Sequence, residues 1–236
     1  MKQPLKCLDP MAAHVLDNPI RASLRTRHRA LAQVQGEVMR YPAEVAPFLA
    51  VDSAGVEAGP ALDALVPPGD TVYLLGPVPA VPEGWQLRGP MLLAQMVYPQ
   101  PRAEVAGPAI VELGPAQRPD ILTLAALVYP HYFRMRTPEL GRYFGIYQDG
   151  RLAAMAGERM GTDGWREVSA VCAHPEHAGR GYAQRLLVWL SNDLLARGET
   201  PFLHVSLENH RAKELYLRNG YRVRCEIEHC ALARPA

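Results

Sequence analysis

The hydrophobic pattern changes period once in a decisive place. Ala183, Leu186, Leu187, Leu190 and Leu194 recur at three- and four-residue spacing, with Gln184, Arg185, Asn192, Asp193 and Arg197 between them. That spacing predicts an amphipathic helix, and Gly198 stops it. Immediately upstream, Arg166 to Ala173 is rich in small and β-branched residues and reads as a strand, followed by Pro175 and the glycine pair Gly179 and Gly181. Strand, glycine loop and helix therefore follow one another over Val168–Leu187. Downstream, Leu203, Val205 and Leu207 alternate with His204 and Ser206, predicting a strand over Phe202–Leu207. Asn209 then caps a helix carrying Ala212, Leu215 and Tyr216 on one face, Gly220 ends it, and Tyr221–Leu232 is strand again. Strand, helix, strand implies two parallel neighbours inside an otherwise antiparallel sheet.

The rest of the chain is punctuated more densely. Residues 1 to about 15 carry no periodicity. Asn18-Pro19 predicts the start of a short helix, and Ala30–Tyr41 two short strands turning at Gln35-Gly36. Phe48–Val51 and Thr71–Leu75 read as strands, Ala61–Val66 as a helix, and Trp85–Tyr98 as one or two strands broken near Gly89-Pro90. From Pro99 to Pro108 all periodicity is lost and proline accumulates, which is the composition of a linker. The expected division is an N-terminal mixed α/β domain over 1–100 and a second domain over 108–236. In the latter, Ala109–Leu113 is a strand, Pro119–Val128 a helix, and Tyr143–Gln148 with Leu152–Glu158 a hairpin turned at Asp149-Gly150.

Composition narrows the classes. The chain has 236 residues, 48% hydrophobic and 21% charged, enough apolar surface for a packed core. A net charge of +1 supplies no global field for nucleic acid or an anionic membrane. The basic cluster Arg21, Arg25, Arg27, His28 and Arg29 reads as a solvated face. Cys7, Cys172, Cys225 and Cys230 lack zinc-type spacing and are expected as reduced thiols. With neither a leader-like nor a membrane-spanning pattern, the expected location is the cytoplasm.

The chemistry concentrates in the glycine loop. Glycine permits close backbone approach, and a helix start offers unpaired N–H groups, so the loop is an anion site. A dinucleotide loop beginning at Gly179 would need glycine at position 184, where Gln184 stands. His174 and His177 flank Pro175 without an acidic or cysteine cluster, so no metal is expected.

The segment Ala178-Gly179-Arg180-Gly181-Tyr182-Ala183 and the block Asn209, Ala212, Leu215, Tyr216, Gly220 and Tyr221 resemble the two recurrent segments of the GNAT superfamily of N-acetyltransferases. The resemblance covers about Ala109–Leu232 and is densest from Glu167 to Tyr221. Gly181 and Ala183 match the family pattern; Ala178 stands where a basic or amide side chain is expected. The resemblance implies a mixed, mostly antiparallel central sheet flanked by helices, preceded here by a smaller α+β domain; its mix of short strands with few helices leaves a degenerate copy of the same fold as an alternative reading of that domain. It also implies acetyl-CoA as co-substrate, its pantetheine arm on the backbone of Val171, Cys172 and Ala173. The pyrophosphate would lie on the amides of Gly179, Arg180, Gly181, Tyr182, Ala183 and Gln184, with Asn209 in reach.

For the chemistry, the resemblance places Tyr216 as the acid that protonates the departing sulfur and Glu167 as the general base, its carboxyl raised by burial. Cys172 reads as a small core residue. Tyr129-Pro130-His131-Tyr132-Phe133-Arg134 falls where an acceptor wall would lie. The expected activity is direct acetyl transfer to a primary amine of a small molecule. The rival is a non-catalytic acyl-CoA-binding or sensor module. The expected partner is the small-molecule amine, with a homodimer as an allowed assembly and neither nucleic acid nor membrane.

Overall fold

The computed structural model describes residues 14–128 and 132–236, so the unpatterned first thirteen residues and Tyr129, Pro130 and His131 lie outside the described residues. Helix α1 (Pro19–Arg25) starts as its sequence dictates: the Asn18 side chain accepts from the Arg21 amide at 3.3 Å, and Pro19 occupies the first turn. Strands β1 (Gln33–Gln35) and β2 (Val38–Arg40) form the expected hairpin at Gly36, and β3 (Leu49–Ala50) completes a three-stranded sheet. Helix α2 (Gly59–Leu65) and strands β4 (Thr71–Leu75) and β5 (Gln86–Val97) follow. The anticipated break at Gly89-Pro90 does not end β5; its pairing continues through a register shift opposite His229–Ala231.

Beyond the irregular proline-rich segment come β6 (Val111–Glu112), α3 (Arg118–Val128), β7 (Tyr143–Gln148), β8 (Arg151–Thr162) and β9 (Trp165–Ala173). Helix α4 (Tyr182–Ala196), β10 (Thr200–Ser206), α5 (His210–Arg218) and β11 (Arg222–Ala233) complete the chain. Helix α4 begins at Tyr182, after the glycine pair, because Gly181 takes the left-handed conformation at φ 77°.

One large sheet of eight strands runs in the order β4-β11-β5-β10-β9-β8-β7-β6. Every pairing in it is antiparallel except β9 with β10. Strands β4 and β5 precede the proline-rich segment yet belong to this sheet, and β5 lies between β10 and β11. The sheet is therefore continuous across the division expected near residue 100. The segment itself is tied to α4: Arg185 donates to the carbonyls of Pro108 and Val105, and the Asn192 side chain bonds both the amide and the carbonyl of Arg102. Residues 14–97 also hold only seven-residue α-helices, a layout without the long helix of the C-terminal part.

Two cores sandwich the sheet. On one face, Leu186, Leu187, Leu190 and Leu194 of α4 pack with Ala94, Met96, Val168, Leu203 and Val205. On the other, Leu16, Ile20, Leu24, Tyr41 and Phe48 of the N-terminal part pack with Leu75, Leu93, Phe202 and Ile227. Leu16, Ile20 and Leu24 are completely buried. At about 1.5–3 kcal/mol each, they fix α1 and its neighbours over the sheet. Cys172 and Cys230 are free thiols as expected, whereas Cys225 is disulfide-bonded, against the expectation of reduced cysteines; Cys7 lies outside the described residues. No helix among the described residues is long and apolar enough to cross a membrane.

Candidate active site

Strands β9 and β10 pair over only three rungs, Thr200 with Trp165, Pro201 with Arg166 and Phe202 with Glu167. Beyond them, β10 continues only along β5 as far as Ser206 opposite Leu93, and β9 only along β8 as far as Ala173 opposite Ala154. The two strands separate, and their facing backbone edges open into a cleft of about 1080 Å³. A bulge in β9 increases the divergence: one extra residue sits between Ser169 and Cys172, and Ala170 adopts φ 51°. A left-handed alanine costs about 1–2 kcal/mol, the kind of strain held at functional sites.

The loop after β9 forms one end of the cleft. Gly179 and Gly181 both have positive φ, and nothing lies within 4 Å of where a Cβ would stand on either. No side chain caps the start of α4, so its first amides point into open space. His177 is buried beside this loop, and its Nδ1 has no hydrogen-bond partner. Free amides, a helix N-terminus and an unpartnered imidazole nitrogen suit an anionic group such as the pyrophosphate of CoA.

Of the residues expected to bind the co-substrate, Val171, Cys172, Ala173, Gly179, Gly181, Tyr182, Ala183, Gln184 and Asn209 all line the cleft. Arg180 is exposed and does not. Cys172 points away from Val171 and Ala173, into the core shared with α3, and burial pushes its thiol up to about 12. Gln184 is held by a 2.9 Å bond to the Asn219 side chain, and Asn209 caps α5 through the Ala212 amide at 3.1 Å. Tyr216 lies in the cleft wall near Cys172, and burial raises its hydroxyl to about 12. Among the described residues, no three His, Cys, Asp or Glu side chains gather as a metal site.

Glu167 departs from expectation. It is fully buried, and both carboxylate oxygens are engaged. Arg159 donates to Oε1 and Oε2 at 2.7 Å each, the Met160 amide to Oε2 at 3.2 Å, and His204 Nδ1 to Oε1 at 2.8 Å. Burial by itself raises the carboxyl, but Arg159 and His204 outweigh it and hold it at about 2. The raised carboxyl predicted from burial is thus corrected: this carboxylate stays ionised and holds its neighbours in place. The network continues through His204 Nε2, 3.0 Å from Gln95 Nε2. Gln95 bonds the Leu16 carbonyl at 2.8 Å and accepts from Arg224 at 2.6 Å, which fixes its amide orientation and thereby the His204 Nδ1–H tautomer.

The other end of the cleft is roofed by the N-terminal part. Phe48 and Leu75 join Leu93, Leu140 and Tyr143 around Arg159, whose guanidinium lies 5.0 Å from the Phe48 ring centroid. Tyr132 and Phe133, from the run expected as an acceptor wall, also line the cleft. Sequence reasoning missed Arg159, Phe48 and His229. The Glu158-Arg159 pair interrupting the small and apolar run of β8 was the available signal; the other two become site residues only through the tertiary arrangement.

The comparisons follow this geometry. The family described as FR47-like protein matches residues 143–230. A GNAT-family protein from Novosphingobium aromaticivorans DSM 12444 superimposes with a TM-score of 0.87 at 36% identity, over 95% of this chain and 100% of that one. A GCN5-related N-acetyltransferase from Kribbella flavida shares the fold at TM-score 0.63 and 17% identity, over 96% of this chain and 97% of that one. No curated protein matches the chain. With the splayed strands, the glycine loop and a full-length relative in agreement, the chain belongs to the GNAT family of acetyltransferase-like proteins.

Proposed function

We propose that the protein transfers the acetyl group of acetyl-CoA directly to a primary amine of a small molecule. The observation that carries this reading is the opening between β9 and β10 onto an uncapped helix start, with Tyr216 in its wall. Bound acetyl-CoA supplies an activated thioester carbonyl. The amides from Gly179 to Gln184 and the free nitrogen of His177 hold its pyrophosphate, and the part of β9 that lines the cleft aligns its arm.

The amine nitrogen forms the new C–N bond as the C–S bond breaks. Tyr216 donates its hydroxyl proton to the departing sulfur and regains one from the amine through water. Burial keeps the hydroxyl protonated at neutral pH, so its proton is in place when the thiolate departs. Glu167 has no free lone pair directed at a substrate and acts by positioning Arg159 and His204.

The test is release of CoA thiol from acetyl-CoA with an amine panel, comparing the protein with Tyr216→Phe. A fall of about 100-fold in kcat supports the acid role. Tight CoA binding by calorimetry without turnover on any amine favours the acyl-CoA-binding module, the reading to which the occupied Glu167 lends weight.

A further inference from the structure

Resting on that reading, we infer that the acceptor binds as the uncharged free base of an amine with a flat, apolar body, and that ammonium ions and polyamines are excluded. Three features of the roofed end of the cleft lead there.

The first is the absence of a cation partner. Among the described lining residues the sole carboxylate is Glu167, and its charge is already matched by Arg159. Arg211 and Arg218 line the cleft from α5, Arg218 beside Glu214 at 3.7 Å, so the described lining adds no carboxylate that could receive a cation. An ammonium entering here loses hydration and meets no counter-ion.

The second is the shape and chemistry of the walls. Phe48, Leu75, Leu93, Leu140, Tyr132 and Tyr143 supply aromatic and aliphatic surface around the single ion pair. Phe48 already carries the Arg159 guanidinium on its face, so that π-face is not free to hold a substrate cation. Tyr132 and Tyr73 pack edge to face at 4.9 Å, and His229 stacks on Tyr73 at 5.4 Å, closing the rings against one another rather than around an ion.

The third is an internal probe of the same field. The groups facing this space are Arg159 from β8, Glu167 from β9, His204 from β10, His229 from β11 and Tyr143 from β7, with Tyr132 from the roof. Burial first, then Arg159, lowers the His229 imidazole to about 4. The same desolvation and the same guanidinium act on a substrate amine and favour its neutral, nucleophilic form. No dedicated base is then needed to unmask the nitrogen, in keeping with the occupied lone pairs of Glu167.

The experiment uses two unreactive probes of matched shape, neopentylbenzene as a neutral isostere and benzyltrimethylammonium as a permanent cation. Each is titrated calorimetrically into the full chain saturated with CoA, after CoA binding has been measured separately. The neutral probe is expected to bind at least about tenfold more tightly than the cation. Leu75→Glu, which adds a carboxylate to the wall, is expected to narrow or reverse that ratio. Equal or tighter binding of the cation to the unmodified protein, or binding of neither probe, overturns the inference while CoA binding stands. Failure to bind CoA at all overturns the acetyltransferase reading itself.

Discussion

Removing the Arg159 guanidinium alone, by Arg159→Met, leaves the Glu167 carboxylate fully buried with only the Met160 amide and His204 as partners. Breaking one side of a buried pair costs about 3–5 kcal/mol, since the orphaned charge keeps its desolvation penalty. For a chain of 236 residues that corresponds to a fall in melting temperature of about 10 °C. Adding Glu167→Gln retains an acceptor for His204 and removes the orphaned charge, so the double variant should recover most of the loss. pH supplies an independent signature. In the unmodified protein the carboxyl sits at about 2, below its unfolded value near 4.3, so its contribution is present above the unfolded value and disappears as pH falls toward 2. In Arg159→Met burial dominates, the folded carboxyl rises above the unfolded value, and the variant's deficit shrinks as pH is lowered through the raised folded value toward the unfolded one. Urea unfolding of the four proteins of the cycle at pH 8 and pH 5 measures both. Additive effects of the two substitutions, or an Arg159→Met deficit that does not shrink between pH 8 and pH 5, would refute the reasoning.

Three further outcomes test other parts of the molecule. Gly181→Val places a β-branched residue at φ 77° and should weaken CoA binding at least about tenfold in calorimetry; unchanged affinity would remove the loop from the site. Ala178→Arg, at an exposed lining position, restores the basic group expected there and should tighten CoA binding by about tenfold, whereas weaker binding counts against this placement of the pyrophosphate. His28 is lowered to about 4, chiefly by burial, so between pH 6.5 and 4 the unfolded chain takes up a proton that the folded chain refuses. Stability should fall by about 3 kcal/mol as pH drops across that window, and denaturant titrations of His28→Gln should show a shallower slope.

Local order accounts for what the residues announced by themselves. The hairpin at Asp149-Gly150, the cap at Asn209, the glycine loop and the long amphipathic helix each depend on neighbours within a few positions, and each forms as its residues predict, the helix starting at Tyr182 rather than at Gly179. The parallel pair follows from the order strand, helix, strand, and the likeness to GNAT proteins from two short blocks on the same stretch.

Tertiary structure decided the rest. That β5 lies between β10 and β11 depends on contacts made across more than a hundred residues, which no local spacing encodes. This placement makes one sheet of both halves and brings Phe48 and Leu75 over the end of the cleft. Glu167 shows the same limit in one side chain. Its position on a buried strand was readable, and burial alone argues for a raised carboxyl. Whether Arg159 and His204 reach it depends on how β8, β9 and β10 lie side by side, and the Arg159 charge together with the hydrogen bonds from both reverses the sign of the shift.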